Sequence, residues 1–192
     1  MRRLMWVALL LGVMGSGCGP RFRAGSIDDE VLRRGSRIAV MPLENLSGRE
    51  NASEKLTEYL VMALARVDGI EMNELGKTYE YMRRYRVRSS TFLTSDQIDS
   101  LARNLDVAYI VTGTVLEYTE TDNTYLGTVP QVSLNLRLIK CASRRTVWAG
   151  SANARGDQSE LLFGVGAVRS REELARGVIE GAVKELAGLI EE

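Results

Sequence analysis

Few side chains in this 192-residue chain have the type and spacing to do chemistry, and the absences narrow the field first. There is no histidine. That removes the commonest general base, the commonest metal ligand and every Ser-His or Cys-His nucleophile. Among the carboxylates, Glu117 and Glu120 stand near the end of a β-type run. An enzyme acting on cell-wall or polysaccharide material would need such a pair about 5–9.5 Å apart in a cleft. A solvated strand end is the stronger reading of these two residues. Gly164 and Gly166 form a Gly-x-Gly pair without the Lys-Ser/Thr ending of a phosphate loop. Of the two cysteines, Cys141 reads as a partly buried structural thiol. No catalytic residue, metal ligand or cofactor is assigned, and the chain is read as not an enzyme.

Cys18 is different because of what precedes it. Arg2 and Arg3 are followed by a nearly unbroken apolar run at 4–14 and by the small residues Gly15, Ser16 and Gly17. This is the order of a cleaved export signal, residues 1–17, and the run is far short of the roughly 20 residues that span a bilayer as a helix. A cysteine directly after the small residues resembles the lipobox of bacterial lipoproteins. That resemblance makes Cys18 the lipid attachment site and the first residue of a membrane-anchored chain. Gly19, where an Asp would hold many lipoproteins at the inner membrane, points to the periplasmic face of the outer membrane.

Removing Arg2 and Arg3 leaves 23 Lys and Arg against 25 Asp and Glu, a net charge near −2. No nucleic-acid partner is expected, since that would need a clearly basic domain or stripe. With Cys18 lipidated, Cys141 has no partner for an intrachain disulfide.

Residues 18–35 are polar and charged and read as a tether, with one loose helical turn near 28–34. A single domain then occupies 36–192. Its first strand is the apolar run at 37–43, closed by Pro42. Asn51 and Glu54 have capping-box spacing ahead of a helix whose apolar face carries Leu56, Leu60, Leu64 and Val67. A short edge strand at 70–73 follows. Thr94 with Gln97 opens a helix at 95–105. Residues 108–118 are a long β-type run in which Gly113 signals a bulge or a close backbone approach. At 132–139, Val132, Leu134, Leu136 and Leu138 alternate with Ser133, Asn135, Arg137 and Ile139, so one face is buried and the other mostly wet. A hairpin partner at 146–154 follows, and Ser170 with Glu173 opens a last helix. The fold class is α/β: a mixed β-sheet packed by helices.

Two segments read as candidate partner-binding surface. Residues 76–88 hold three tyrosines and five basic residues, with Tyr81 and Tyr85 on one helical face and Arg84 toward solvent. A half-buried helix with a solvated charged face is favoured there over an RNA or anionic-lipid surface. The apolar patch with Leu162, Phe163 and Val165 is either a docking loop or a loop packed under the last helix.

These elements carry a resemblance. Residues 38–48 (IAVMPLENLSG) look like the opening strand and loop of TolB amino-terminal-like domains. Residues 105–115 (LDVAYIVTGTV) are similar to that family's later strand, and 136–139 with Val147-Trp148 match its hairpin. The same pattern is shared by CsgG-like (curli assembly) lipoproteins and by LpoB-like activators of a penicillin-binding protein. The hairpin turn departs from the pattern at Lys140 and at Ser143-Arg144. The resemblance implies the α/β sandwich and a role by binding and assembly, with no shared active site to carry over. The expected partners are the membrane through Cys18, other envelope proteins and further copies of the chain. A CsgG-like channel is not expected, because the insertions at 119–131 and 155–169 are too short for membrane-spanning hairpins. The implied role is an envelope assembly or accessory component, with an LpoB-like activator of peptidoglycan synthesis as the alternative.

Overall fold

The computed structural model describes residues 22–26, 32–123, 127–158 and 167–190. Among these residues, seven strands form one mixed sheet: β1 (Phe22–Ser26), β2 (Ser36–Val40), β3 (Glu44–Asn45), β4 (Ile70–Met72), β5 (Tyr109–Asn123), β6 (Gly127–Lys140) and β7 (Arg145–Arg155). Their order is β1-β7-β6-β5-β2-β4, with β3 paired to β5. β2, β3 and β4 run in parallel pairings, whereas β5, β6, β7 and β1 form an antiparallel meander.

Pro42 has no N–H to offer a ladder, so the strand expected at 37–43 stops at Val40. It resumes as β3 on the same partner strand. The buried Leu43 N–H is satisfied by the hydroxyl of Thr57, 2.9 Å away, which itself donates to the Ser53 carbonyl at 2.6 Å. Gly113 lies opposite this break. A Cβ there would sit 2.2 Å from the Asn135 carbonyl oxygen, so the close approach read from the sequence is real. The bulge itself falls between Val115 and Glu117.

Among the described residues, four helices cover the sheet: α1 (Ala52–Leu64), α2 (Leu75–Tyr85), α3 (Ser95–Leu105) and α4 (Arg171–Ala187). On one face, α1 and α4 pack Leu56, Leu60, Leu174, Val178 and Ile179 against Val132, Leu134, Leu136 and Leu138. Each such side chain contributes about 1.5–3 kcal/mol on burial. On the other face, α2 and α3 cover a smaller core of Ala39, Met41, Ile110, Ile139 and Cys141. The second face of β6 is therefore not mostly wet: Ser133 and Ile139 are buried too.

The capping box at Thr94 and Gln97 forms in full. At Ser170 the hydroxyl accepts the Glu173 N–H at 3.3 Å. The box expected at Asn51 and Glu54 does not form, because Asn51 adopts a left-handed backbone (φ 59°) and makes no side-chain cap. From that conformation its side chain is turned away from the free N–H groups of the first turn.

Two segments expected outside the sheet belong to it. β1, within the expected tether, pairs antiparallel with β7 from Phe22↔Ala152 to Ser26↔Trp148. Leu32 is buried and bridges to Ile190, its N–H donating to Leu189 O at 2.7 Å. The expected insertion at 119–131 continues β5 and β6 as an antiparallel ribbon, paired out to Asn123↔Gly127. Its polar residues hide the strand period from a reading based on hydrophobicity alone. Among the described residues, no helix is long and apolar enough to cross a membrane.

Candidate partner-binding surface

The helix expected around 76–88 runs over Leu75–Tyr85 and ends at Arg86, whose left-handed backbone lets its N–H reach the Met82 carbonyl. Arg83 and Arg84 occupy its last turn, where cations face the negative end of the helix dipole. Tyr81 and Tyr85 share a face, their ring centroids 4.5 Å apart and tilted by 32°. Their surroundings differ. Tyr81 is 4 % exposed and its hydroxyl donates to the Gln97 carbonyl at 3.4 Å. It belongs to the smaller core and, nearly buried, lines the groove between α2 and α3.

Tyr85 is 45 % exposed, and its hydroxyl donates to Asn104 Oδ1 at 2.9 Å. The Asn104 amide in turn donates to the Ser100 carbonyl at 2.7 Å. This chain of bonds fixes the Tyr85 ring across the α2–α3 seam. The seam holds a groove of about 240 Å³ with Lys77, Glu80, Arg84 and Tyr85 along its rim. A fixed aromatic face beside Lys and Arg suits a partner segment that carries both an apolar side chain and a carboxylate.

The most exposed aromatic among the described residues was not legible in the sequence. Phe92 is 78 % exposed, yet its loop is tied down over β5 and β6. Thr112 donates to Ser90 O at 2.6 Å, Thr91 donates to Gly113 O at 3.2 Å, and the Arg137 guanidinium donates to Thr91 O. The Ser89 hydroxyl accepts the Phe92 N–H at 3.1 Å. An apolar ring held out by a pinned loop is a preorganised contact. Its only sequence trace is one Phe in a run of Ser and Thr, which predicts a turn and nothing more.

The remaining candidates divide. Cys18, Leu162, Phe163 and Val165 lie outside the described residues. Glu117 accepts from the Gln131 amide at 2.8 Å, whereas Glu120 pairs with Arg171 at 3.6 Å. Three positions apart on one strand, these carboxylates fall on opposite faces and do not flank a common cleft. The Cys141 thiol is pushed up to about 11, first by burial and then by the Asp99 carboxylate. Among the described residues, no group of three or more His, Cys, Asp or Glu side chains could hold a metal.

At the base of the ribbon, Tyr118 is buried, with the Arg171 guanidinium 4.8 Å above its ring centre. Burial and the neighbouring Glu172 push its hydroxyl up to about 12, and it donates to Glu172 Oε1 at 3.4 Å. The Glu172 carboxyl is held below its ordinary range, first by its own backbone N–H and then by Lys55. These contacts clamp the ribbon to the start of α4.

No protein-family model matches this chain, and no curated protein does. The TolB-like and CsgG-like resemblance therefore stays an expectation from sequence motifs. Solved structures do match. PelC from Paraburkholderia phytofirmans, solved as a dodecamer, is 16% identical, with a TM-score of 0.59 over 89% of this chain and 99% of that one. Lipoprotein GNA1162 from Neisseria meningitidis is 19% identical, with a TM-score of 0.57 over 80% of this chain and 99% of that one. The hypothetical protein CT253 from Chlamydia trachomatis is 13% identical, with a TM-score of 0.52 over 80% and 96%. At these identities the likeness is one of fold, and in fold this chain is similar to lipoprotein GNA1162 and to the PelC subunit.

Proposed function

We propose that this chain is an envelope lipoprotein, held at the periplasmic face of the outer membrane by the lipid on Cys18, whose domain binds other proteins as an assembly or accessory component. The observation that carries this reading is the whole-domain likeness to lipoprotein GNA1162, combined with a cysteine placed directly after an export-signal pattern. The exposed rings of Tyr85, fixed through its hydroxyl, and of Phe92, carried on a loop pinned by hydrogen bonds, are contacts such a domain would use. Self-association belongs to the same reading, since PelC with this fold is a dodecamer.

A membrane channel is left out of the proposal. Past the bulge, the ribbon strand at 117–123 is almost wholly polar, and Val129 and Val132 of its partner strand are buried, so the ribbon lacks the outward apolar row that lipid requires.

Crosslinking in intact envelopes, followed by capture of the tagged chain, tests the proposal. Envelope proteins should be recovered from the wild type, and their yield should drop for Phe92→Ser with Tyr85→Ser. A penicillin-binding protein among them would select the activator role. Recovery of neither envelope proteins nor further copies of the chain would overturn the reading.

A further inference from the structure

We propose that the groove between α2 and α3 takes the exposed row of α1 from a second copy of the chain, with Arg84 meeting Glu58 and Met62 seated beside Tyr85. The proposal rests on the self-association in the reading above and names the two surfaces that meet.

On the groove side, residues 77–88 carry Lys77, Arg83, Arg84, Arg86 and Arg88 against one carboxylate, Glu80. The four arginines are exposed, and none has an ion-pair partner among the described residues. Lys77 has only Glu74, 3.8 Å away at the start of its own helix. Such a concentration of positive charge, in a chain of net charge near −2, attracts an acidic surface. Glu80 shares the groove and is outnumbered there by Lys77 and Arg84. Tyr81 and Leu105 give the groove an apolar lining, beside the Tyr85 ring that Asn104 holds in place.

On the other side, Glu54, Glu58 and Met62 recur every four residues of α1 and so form one row. All three are exposed, Met62 by 49 %. Neither carboxylate has an ion-pair partner among the described residues. Lys55, the basic residue between them, is engaged with Glu172 at 3.4 Å. Arg66 follows one turn past Met62, outside the acidic part of the row. The Tyr79 hydroxyl is pushed up by burial and then by Glu54 and Glu58, so its half-exposed ring flanks the row. The row supplies what the groove suits: a carboxylate and, about 6 Å farther along the helix, a flexible apolar side chain. A thioether against a fixed aromatic ring is a favourable contact, and the Arg84–Glu58 pair sets the direction.

The topology makes this contact intermolecular. α1 packs on one face of the sheet, whereas α2 and α3 cover the other. The row and the groove of one copy therefore cannot meet. Joining two different patches on successive copies builds a ring or a filament.

The test uses the full-length protein in intact envelopes, with Met62→Cys and Glu80→Cys in a Cys141→Ala background. A disulfide needs Cα atoms within about 7 Å, so only close approach is trapped on non-reducing gels. A ladder of linked copies is expected from the pair, and none from either cysteine alone. Arg84→Glu or Glu58→Arg should each weaken the ladder several-fold, and the two together should restore it. No ladder from the pair, a dimer from one cysteine alone, or a ladder indifferent to the charge reversals overturns this interface. Envelope proteins still captured by that chain leave the lipoprotein reading standing, whereas loss of their capture as well overturns both.

Discussion

Arg144, in the tight turn between β6 and β7, holds both carboxylate oxygens of Asp99 on α3, at 2.7 Å from Nε and 2.9 Å from Nη2. Arg144 reaches them from a left-handed backbone with φ 57°. One surface pair thereby ties the meander to the helix layer over the smaller core.

The Asp99 carboxyl is held below its ordinary value chiefly by the hydrogen bond from Arg144. A carboxyl depressed in the folded state adds stability above its unfolded value, and that contribution is lost as pH falls through the folded value. Arg144→Ala should move the Asp99 titration upward, read by carbon-detected NMR of the carboxyl. An unchanged titration would show that the bidentate pair is not populated in solution.

Thr57 predicts a core polar effect. Thr57→Val preserves shape but leaves the buried Leu43 N–H without its acceptor. Stability should fall by about 1–3 kcal/mol, the cost of an unsatisfied buried donor. Thr57→Ser, which keeps the hydroxyl, should lose less. Urea denaturation of both variants gives the comparison.

Gly113 tolerates no side chain. In Gly113→Ala the new Cβ would meet the Asn135 carbonyl oxygen at 2.2 Å and Leu136 Cδ2 at 2.7 Å. The first of these is backbone in the adjacent strand and cannot swing away. A loss of about 1–3 kcal/mol or more is expected from overpacking, seen as a lower Tm. An unchanged Tm would mean the β5–β6 spacing is wider than described.

Cys141 should behave as an inert thiol. With its value pushed up to about 11, little thiolate exists at pH 8. In a Cys18→Ser variant, alkylation of the native protein should run about two orders of magnitude slower than that of an unfolded control. Comparable rates would place Cys141 at the surface.

Much of this architecture is legible locally. The helices at Ala52–Leu64, Ser95–Leu105 and Arg171–Ala187 declare themselves because their apolar residues recur within one or two turns. The cap at Thr94 is visible because donor and acceptor sit three residues apart. The close approach at Gly113 shows because a glycine interrupts a β-branched run. The candidate surface was half legible. The spacing of Tyr81 and Tyr85 sets them on one helical face, and only the packing of α3 buries the first and leaves the second exposed.

The sequence by itself determined the α/β class and the positions of most elements, since each depends on neighbours a few residues away. Tertiary structure decided what non-local pairing controls. β1 is a strand only because β7 offers a partner about 130 residues later, and nothing in its own composition announces this. The ribbon at 117–133 is ordered by cross-strand register and by the clamp on α4, not by hydrophobic pattern. Phe92 is held out in solvent because three backbone carbonyls, Ser90 and Thr91 in its loop and Gly113 beneath it, each accept a hydrogen bond from a side chain on the facing segment. The same non-local pairing of β1 leaves only residues 19–21 between Cys18 and the first paired residue, Phe22, a closeness that depends on β7 and not on local sequence.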